Sequence, residues 1–312
     1  DYACRGEGEY LLRDLLLSLS EECALPEKGL VYMKNGEIVA QEKIIVQDLT
    51  TLPMPDYSFV NLNDYIHEQP RIGPNRHPAL PGTHIHVTRG CPCRCCFCQV
   101  EHISGKTIRW RDPVAVVDEL QFLKENYNIK SFTFEDDNTF FTVDKAKQLL
   151  RELIERNLNL EWRCGALALF ALDKELIDLM EKSGCKVACV SVESGCKRVL
   201  KEIVKKPIKN LDEVPDIIQI LKNAGILVKA SFVIGFPGET WEEIRETVRF
   251  AENCNADYVV FFNAVPLPGT PLYEQCQQLG VLIDEENGDS VDWRHSRIRS
   301  DEWTTDDVSI LR

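Results

Sequence analysis

Five cysteines crowd into eight residues: Cys91, Cys93, Cys95, Cys96 and Cys98, within RGCPCRCCFCQV. Thiolates are the ligands that soft metals and iron–sulfur clusters take. Cys91, Cys95 and Cys98 stand in the spacing C-x3-C-x2-C, which lets a tight loop wrap three corners of a 4Fe-4S cube. Such a cube usually takes four thiolates, so three leave one iron open to a ligand from elsewhere. Cys93 with Cys96, and Cys95 with Cys98, are also C-x2-C pairs, a spacing that suits zinc. A structural zinc site takes a second pair well downstream, and the sequence has no further C-x2-C. His84 and His86 lie inside an expected strand and His102 stands alone, so no histidine pair completes a zinc set. Spacing favours iron–sulfur over zinc and leaves zinc open.

Other residues of chemical interest fall in short polar stretches: Glu135, Asp136 and Asp137 in FEDDNTFF, Glu193 and Ser194 in VESG, and Gly235 in IGFPGET. Carboxylates gathered at one site attract a cationic ligand. A basic segment runs from Lys197 to Lys209, KRVLKEIVKKPIK. It reads as a solvated helix face, or as a local patch for an anionic substrate.

Alternation of strands and helices positions these stretches. HIHVTRG, SFTFE, LEWRCG, KVACVSVES, ILVKASFVIG and ADYVVFFNAV have strand character. Helical patterns separate them. Asp112 and Pro113 open one, Gly184 closes another, Thr240 with Glu243 forms a capping box, and Thr270 with Pro271 opens PLYEQCQQL. Six strand–helix units predict an α/β fold with a parallel sheet, closed as a partial (β/α)6 TIM-like barrel. Catalytic groups of such folds sit at the carboxyl ends of the strands. The cysteine cluster and the carboxylate stretches all follow strands, so they are expected at one rim.

Ahead of this core, EYLLRDLLLSLS reads as a helix and KNGEIV as a hairpin turning at Asn35-Gly36. Residues 25–80 read as a linker with short strands, 81–282 as the core, and 283–312 as an irregular acidic C-terminal segment. The chain opens without Met and in mid-pattern, so a piece of a longer protein is expected.

The 312 residues carry a net charge of −14, which argues against a broad grip on nucleic acid. No apolar run is long enough for a membrane span. Thirteen cysteines, an odd number without an export signal, argue against a disulfide scaffold and for a reducing, cytoplasmic setting.

GCPCRCCFC resembles the C-x3-C-x-aromatic-C signature of the radical S-adenosylmethionine superfamily, with Phe97 at the aromatic position. FTFEDDNTFFT, GCKVACVSVESG, IVKKPIK, AGILVKASFVIGFPGET and FNAVPLPGTPLYE resemble one branch, which carries a cobalamin-binding domain ahead of the radical domain. The resemblance implies that residues 1–24 are the tail of that upstream α/β domain. It implies a 4Fe-4S cluster on Cys91, Cys95 and Cys98, with S-adenosylmethionine on the open iron. Cys93 and Cys96 become bystanders. Phe97 and Gly235 would lie near the adenine, Glu135, Asp136 and Asp137 near the methionine amino group, and Glu193 and Ser194 near the ribose or methionine. It implies reductive cleavage to a 5′-deoxyadenosyl radical for C–H activation, as methyl transfer or cyclisation on a small organic substrate. An electron donor such as ferredoxin or flavodoxin would serve it. Methylthiotransferase-like modification of RNA or protein, and a non-catalytic iron–sulfur or zinc module, are the alternatives. Two departures stand out. Relatives place an Arg after the third strand, where Gly165 to Leu169 offer none. No D-x-H-x-x-G stretch for cobalt is present, so cobalamin is expected in the full-length parent only.

Overall fold

Strand-forming residues at period two, each run followed by an amphipathic helix, give a one-layer sheet wrapped in helices. The computed structural model describes residues 1–20, 23–67, 76–207, 210–283 and 295–311. Part of the expected linker (68–75), Ile208 and Lys209 of the basic segment, and most of the acidic run (284–294) lie outside the described residues.

The chain begins with β1 (Tyr2–Cys4), α1 (Glu9–Leu19), β2 (Leu30–Lys34) and β3 (Glu37–Ala40). These strands form an antiparallel sheet in the order β1-β2-β3. Asn35 (φ 54) and Gly36 (φ 83) make the β2–β3 turn, both left-handed as a two-residue hairpin turn requires. Since β1 pairs with β2, a boundary at residue 24 would cut through this sheet. Turns and α2 (Asn63–Ile66) lead to the core.

The core runs β4 (Gly82–Ile85), β5 (Thr88–Arg89), α3 (Val100–Ile103), β6 (Arg109–Trp110), α4 (Pro113–Tyr127), β7 (Ser131–Phe134), α5 (Val143–Arg156), β8 (Glu161–Leu167), α6 (Lys174–Lys182), β9 (Cys185–Glu193), α7 (Val214–Asn223), β10 (Leu227–Ile234), α8 (Trp241–Asn253), β11 (Tyr258–Asn263) and α9 (Pro271–Leu279). One sheet holds six strands in the order β4-β7-β8-β9-β10-β11, all parallel. Strand order follows chain order without reversal. That is the wall of a partial barrel, not a doubly wound sheet whose order turns back at its centre. The first expected strand splits: β4 stops at Ile85, and β5 pairs instead with β6.

Outward faces of the strands pack under the helices. Phe132, Phe134, Phe140 and Trp162 are fully buried there, with Phe134 and Trp162 ring centroids 5.1 Å apart. Thr133 and Glu135 alternate with them and face the lumen, as the period of two demands. Capping follows the sequence at Thr240, whose hydroxyl accepts from Glu243 N while Glu243 reaches back to Thr240 N. Thr270 accepts from Tyr273 N in the same way. Asp112 precedes α4 but makes no side-chain cap bond.

The C-terminal segment departs from the irregular tail expected. Leu282 bridges Ile298, and α10 (Thr305–Ile310) starts on a capping box of Thr304 and Asp307. Ile298, Trp303 and Val308 are buried in a second core with Cys96, Phe236, Leu272 and Cys276, beside the strand ends. Three apolar residues spaced far apart within a polar stretch give no periodic signal in the sequence.

Candidate active site

β4 ends, and the chain passes through β5 into the cysteine loop. Asp136, just past β7, accepts hydrogen bonds from Val87 N (2.7 Å), Thr88 N and Thr88 Oγ1. Asp137 accepts from Gly90 N at 3.1 Å. Gly90 holds φ 91, and a Cβ there would lie 2.3 Å from the Thr107 carbonyl oxygen. Only glycine fits that bend. Beyond it, Cys91 N donates to Gly105 O, Cys96 N to Val204 O, and Cys98 N to Cys95 O, while Leu272 N donates to Cys96 O. The loop is thus tied to three distant parts of the chain.

Cys91, Cys95 and Cys98 line one pocket of about 110 Å³ at the carboxyl ends of the strands, with Cys93, Phe97, Asp137, Asn138, Ser191, Glu193 and Lys206. A larger cavity of about 700 Å³ lies outside β4, against α1 and the linker, and it holds none of these cysteines. Chemistry decides between the two, and the thiols mark the smaller. Burial pushes the Cys95 thiol up to about 12 and raises Cys98. Cys91 is lowered, first by its hydrogen bond with Cys93, whose own thiol is raised by the same contact. Among the described residues no three His, Cys, Asp or Glu side chains gather as they would about a single ion.

Lys206 Nζ donates to Glu193 Oε1 at 2.7 Å, and both side chains are almost buried. Glu193 takes φ 71, a conformation that L residues other than Asn and Asp rarely adopt. The Lys206 ammonium also offsets part of the burial that raises Cys95. Asn138 Nδ2 approaches Cys91 Sγ (3.9 Å), and its Oδ1 is buried without a partner. Phe97 packs on Phe236 with centroids 5.9 Å apart and presents its ring to the pocket. One buried and two half-buried thiols, one cation and an unpartnered acceptor together fit a 4Fe-4S cluster with a polar ligand beside it.

The other sequence candidates fall elsewhere. Glu135 lies in the lumen, where His84 Nδ1 meets Oε1 at 3.1 Å; that bond, against burial, holds its carboxyl below the ordinary range. Asp136 is turned back into the loop it braces. Ser194 exchanges a hydrogen bond with Thr247 Oγ1 (2.9 Å) and receives Cys196 N, fastening the β9 corner to α8. Gly235 (φ 84) donates its N–H to Glu239 Oε2 and lies under Trp303 and Val308. The pocket therefore keeps Asp137, Glu193 and Phe97 and leaves out Glu135, Asp136, Ser194 and Gly235. Sequence reasoning missed Asn138 and Lys206. Lys206 sits in the basic segment and in IVKKPIK, and a signal for it was present there.

Comparison with known proteins places this geometry. The pattern of the Radical SAM superfamily matches residues 85–251. The chain is 33% identical over 250 residues to the cytidylyl-2-hydroxyethylphosphonate methyltransferase of Streptomyces wedmorensis, covering 77% of this chain and 46% of that protein. It is 27% identical to the anaerobic magnesium-protoporphyrin IX monomethyl ester cyclase of Rubrivivax gelatinosus, covering 91% and 50%. The chain thus spans about half the length of these relatives. Its fold is that of the radical S-adenosylmethionine methyltransferase TsrM from Kitasatospora setae, solved with tryptophan and a SAM analogue (TM-score 0.74, 19% identity, 94% of this chain and 58% of that one). The cobalamin-dependent radical enzyme OxsB is similar in fold, with TM-score 0.67, 18% identity, and 89% and 39% coverage. With more than half of its length inside the matched pattern, the chain belongs to the Radical SAM superfamily, a family whose members use a 4Fe-4S cluster and S-adenosylmethionine.

Proposed function

We propose that this chain is the core of a radical S-adenosylmethionine enzyme that transfers a methyl group to, or closes a ring in, a small organic substrate. The observation that carries the reading is the convergence of Cys91, Cys95 and Cys98 on one pocket at the strand ends, beside the Lys206–Glu193 pair. The matched relatives are methyltransferases and cyclases.

Cys91, Cys95 and Cys98 would hold the cluster. When bound, the cluster and S-adenosylmethionine supply one-electron cleavage of a C–S bond and a carbon radical able to abstract hydrogen. The chain's own residues do the rest. Lys206 compensates thiolate charge and offers a cation for a carboxylate. Asp137 and Glu193 offer carboxylates toward an ammonium or hydroxyl group. Asn138 Oδ1 offers a buried acceptor, and Phe97 a flat apolar face. The barrel wall excludes water from a reactive radical.

A ferredoxin or flavodoxin would supply the electron, and a reducing cytoplasm would keep the thiols free. Among the described residues no helix is long and apolar enough to cross a membrane. Cobalamin is assigned no residue here, because the sequence lacks a D-x-H-x-x-G stretch.

The test is anaerobic reconstitution with iron and sulfide, followed by S-adenosylmethionine and dithionite. We expect a cluster whose electron paramagnetic resonance signal changes on adding S-adenosylmethionine, and formation of 5′-deoxyadenosine. An intact cluster that does neither overturns the reading.

A further inference from the structure

Below the cysteine pocket the lumen holds a buried guanidinium that no carboxylate hydrogen-bonds among the described residues. Arg163, on β8, is only 5% exposed. It pairs in register with Thr133 of β7, whose lumen-facing hydroxyl meets His77 Nδ1 at 3.2 Å. Its flanking residues, Trp162 and Cys164, are fully buried on the opposite, helix-covered face. Period two therefore sends the guanidinium into the lumen.

A buried Arg is ordinarily held by a carboxylate, since an unpaired buried charge is strongly destabilising. Among the described residues no ion pair or oxygen acceptor holds Arg163. Its contact is with the Cys189 thiol, and its Nε is buried with no partner. The acid in reach is Glu135, and it is already engaged. Its Oε1 bonds His84, and its Oε2 lies over Gly165, 3.2 Å from where a Cβ would stand.

The rest of the layer adds positive charge. Lys229 of β10 pairs in register with Cys189 of β9 and is 8% exposed. His77 lies at the start of β4: its ring is 2.5 Å from where a Cβ on Gly82 would stand. Burial lowers His77 to about 4, so it is neutral at pH 7 and gives Arg163 no further cation. The one carboxylate near Arg163 is thus already held by His84. Ser191, which lines the cysteine pocket, lies two residues above Cys189 on the same face, about 7 Å along the strand. The charge is therefore one side chain's length beneath the reactive pocket.

We propose that Arg163 receives an oxyanion carried by the substrate, either a carboxylate or a phosphate-type group. The planar fork of the guanidinium suits two parallel hydrogen bonds to either anion. The opposite end of the substrate then points at the cysteine rim. This inference rests on the enzyme reading, since it names the substrate class of that same barrel.

The test titrates the cluster-loaded chain with inorganic phosphate and, separately, with acetate, at ionic strength held constant with potassium chloride. Melting temperature and calorimetry are the readouts, without S-adenosylmethionine. In the wild type we expect a saturable rise in melting temperature with at least one of the two. Phosphate alone would mark a phosphate-type substrate, and acetate alone a carboxylate. R163M should bind at least tenfold more weakly and melt higher than wild type in chloride, because the lone charge is gone. Should R163M fail to fold, R163K serves: it keeps the charge, loses the fork, and should also bind at least tenfold more weakly. Absence of saturable binding by both anions, or binding unchanged in R163M or R163K, overturns the proposal. Loss of 5′-deoxyadenosine formation with anion binding intact would instead sink the enzyme reading.

Discussion

Replacing Lys206 by Met removes the cation of a nearly buried pair and tests whether the rim is built around it. The two charges are 2.7 Å apart, and their side chains are 13% and 10% exposed. At an effective dielectric of about 20 their gross attraction is roughly 6 kcal/mol. Desolvation cancels much of that, but removing one partner leaves the other charged and buried, at about 3–5 kcal/mol. Because a tenth of each chain reaches water, we take the lower end: K206M should cost about 3 kcal/mol. The double variant K206M/E193Q should cost only about 1 kcal/mol, about 2 kcal/mol less than K206M alone, because no buried charge is left without its partner. Backbone strain gives an internal control. At φ 71, glycine is relieved where alanine is not, so E193G should exceed E193A in stability by about 1 kcal/mol, reversing the usual order of the two. Urea unfolding of the reduced, cluster-free chain measures all four, with fluorescence and circular dichroism required to coincide. K206M within about 0.5 kcal/mol of wild type, the ordinary range for surface changes, or E193A above E193G, would refute the reasoning.

Three further outcomes are expected. Ala at Cys91, Cys95 or Cys98 should lower bound iron to under about a tenth of wild type, while Ser at Cys93 should leave it in place, as iron and sulfide analysis will show. Gly90→Ala, forced against the Thr107 carbonyl at an unsuitable φ, should cost at least about 2 kcal/mol in urea unfolding and lose the cluster. Burial raises the Glu239 carboxyl to about 7, so between pH 4.5 and 7 the folded chain holds a proton that the unfolded chain has released. Its contribution is therefore present below about pH 4.5 and lost as pH rises to 7; relative to E239Q, the wild type should lose up to about 3 kcal/mol across that window in urea unfolding at successive pH values.

The barrel was legible because its signals are local. Period-two strands, the capping box at Thr240 and the Asn35-Gly36 turn each act over a few residues, and each formed as read. The site was legible in part. Glu135, Asp136 and Asp137 were read as one acidic edge, yet alternation sends Glu135 into the lumen, Asp136 back under the β5 loop and Asp137 toward the cysteines. The same rule separates Glu193 from Ser194. Period two was applied to place the strands but not to their last residues, where it decides function. Lys206 was harder. It reaches Glu193 only because the chain turns back after Val199–Val204, with Lys205 in the left-handed region (φ 60). A contact thirteen residues away across a turn has no periodic trace. Arg163 was overlooked because a basic residue was sought after the third strand rather than within it.

Cys93 and Cys96 were taken together as bystanders, and their surroundings separate them. Cys96 is 4% exposed and packs in the second core. Its backbone N–H is fixed to Val204 and its carbonyl to Leu272, so it pins the loop to the turn that delivers Lys206 and to the start of α9. A thiol sealed in apolar surroundings, pushed up to about 12 by burial, is a poor ligand and a poor nucleophile. Cys93 is the opposite case. It is half-buried in the pocket, and its thiol hydrogen-bonds Cys91. When the cluster is lost, the two sulfurs are already placed to oxidise together. C93S should therefore slow loss of reconstitutable cluster after exposure to air, whereas C96S should lower stability in urea and leave the rate of that loss unchanged. Equal protection by the two substitutions would mean that the loop moves freely enough to exchange its sulfurs, and that the ties through Cys96 do not hold it.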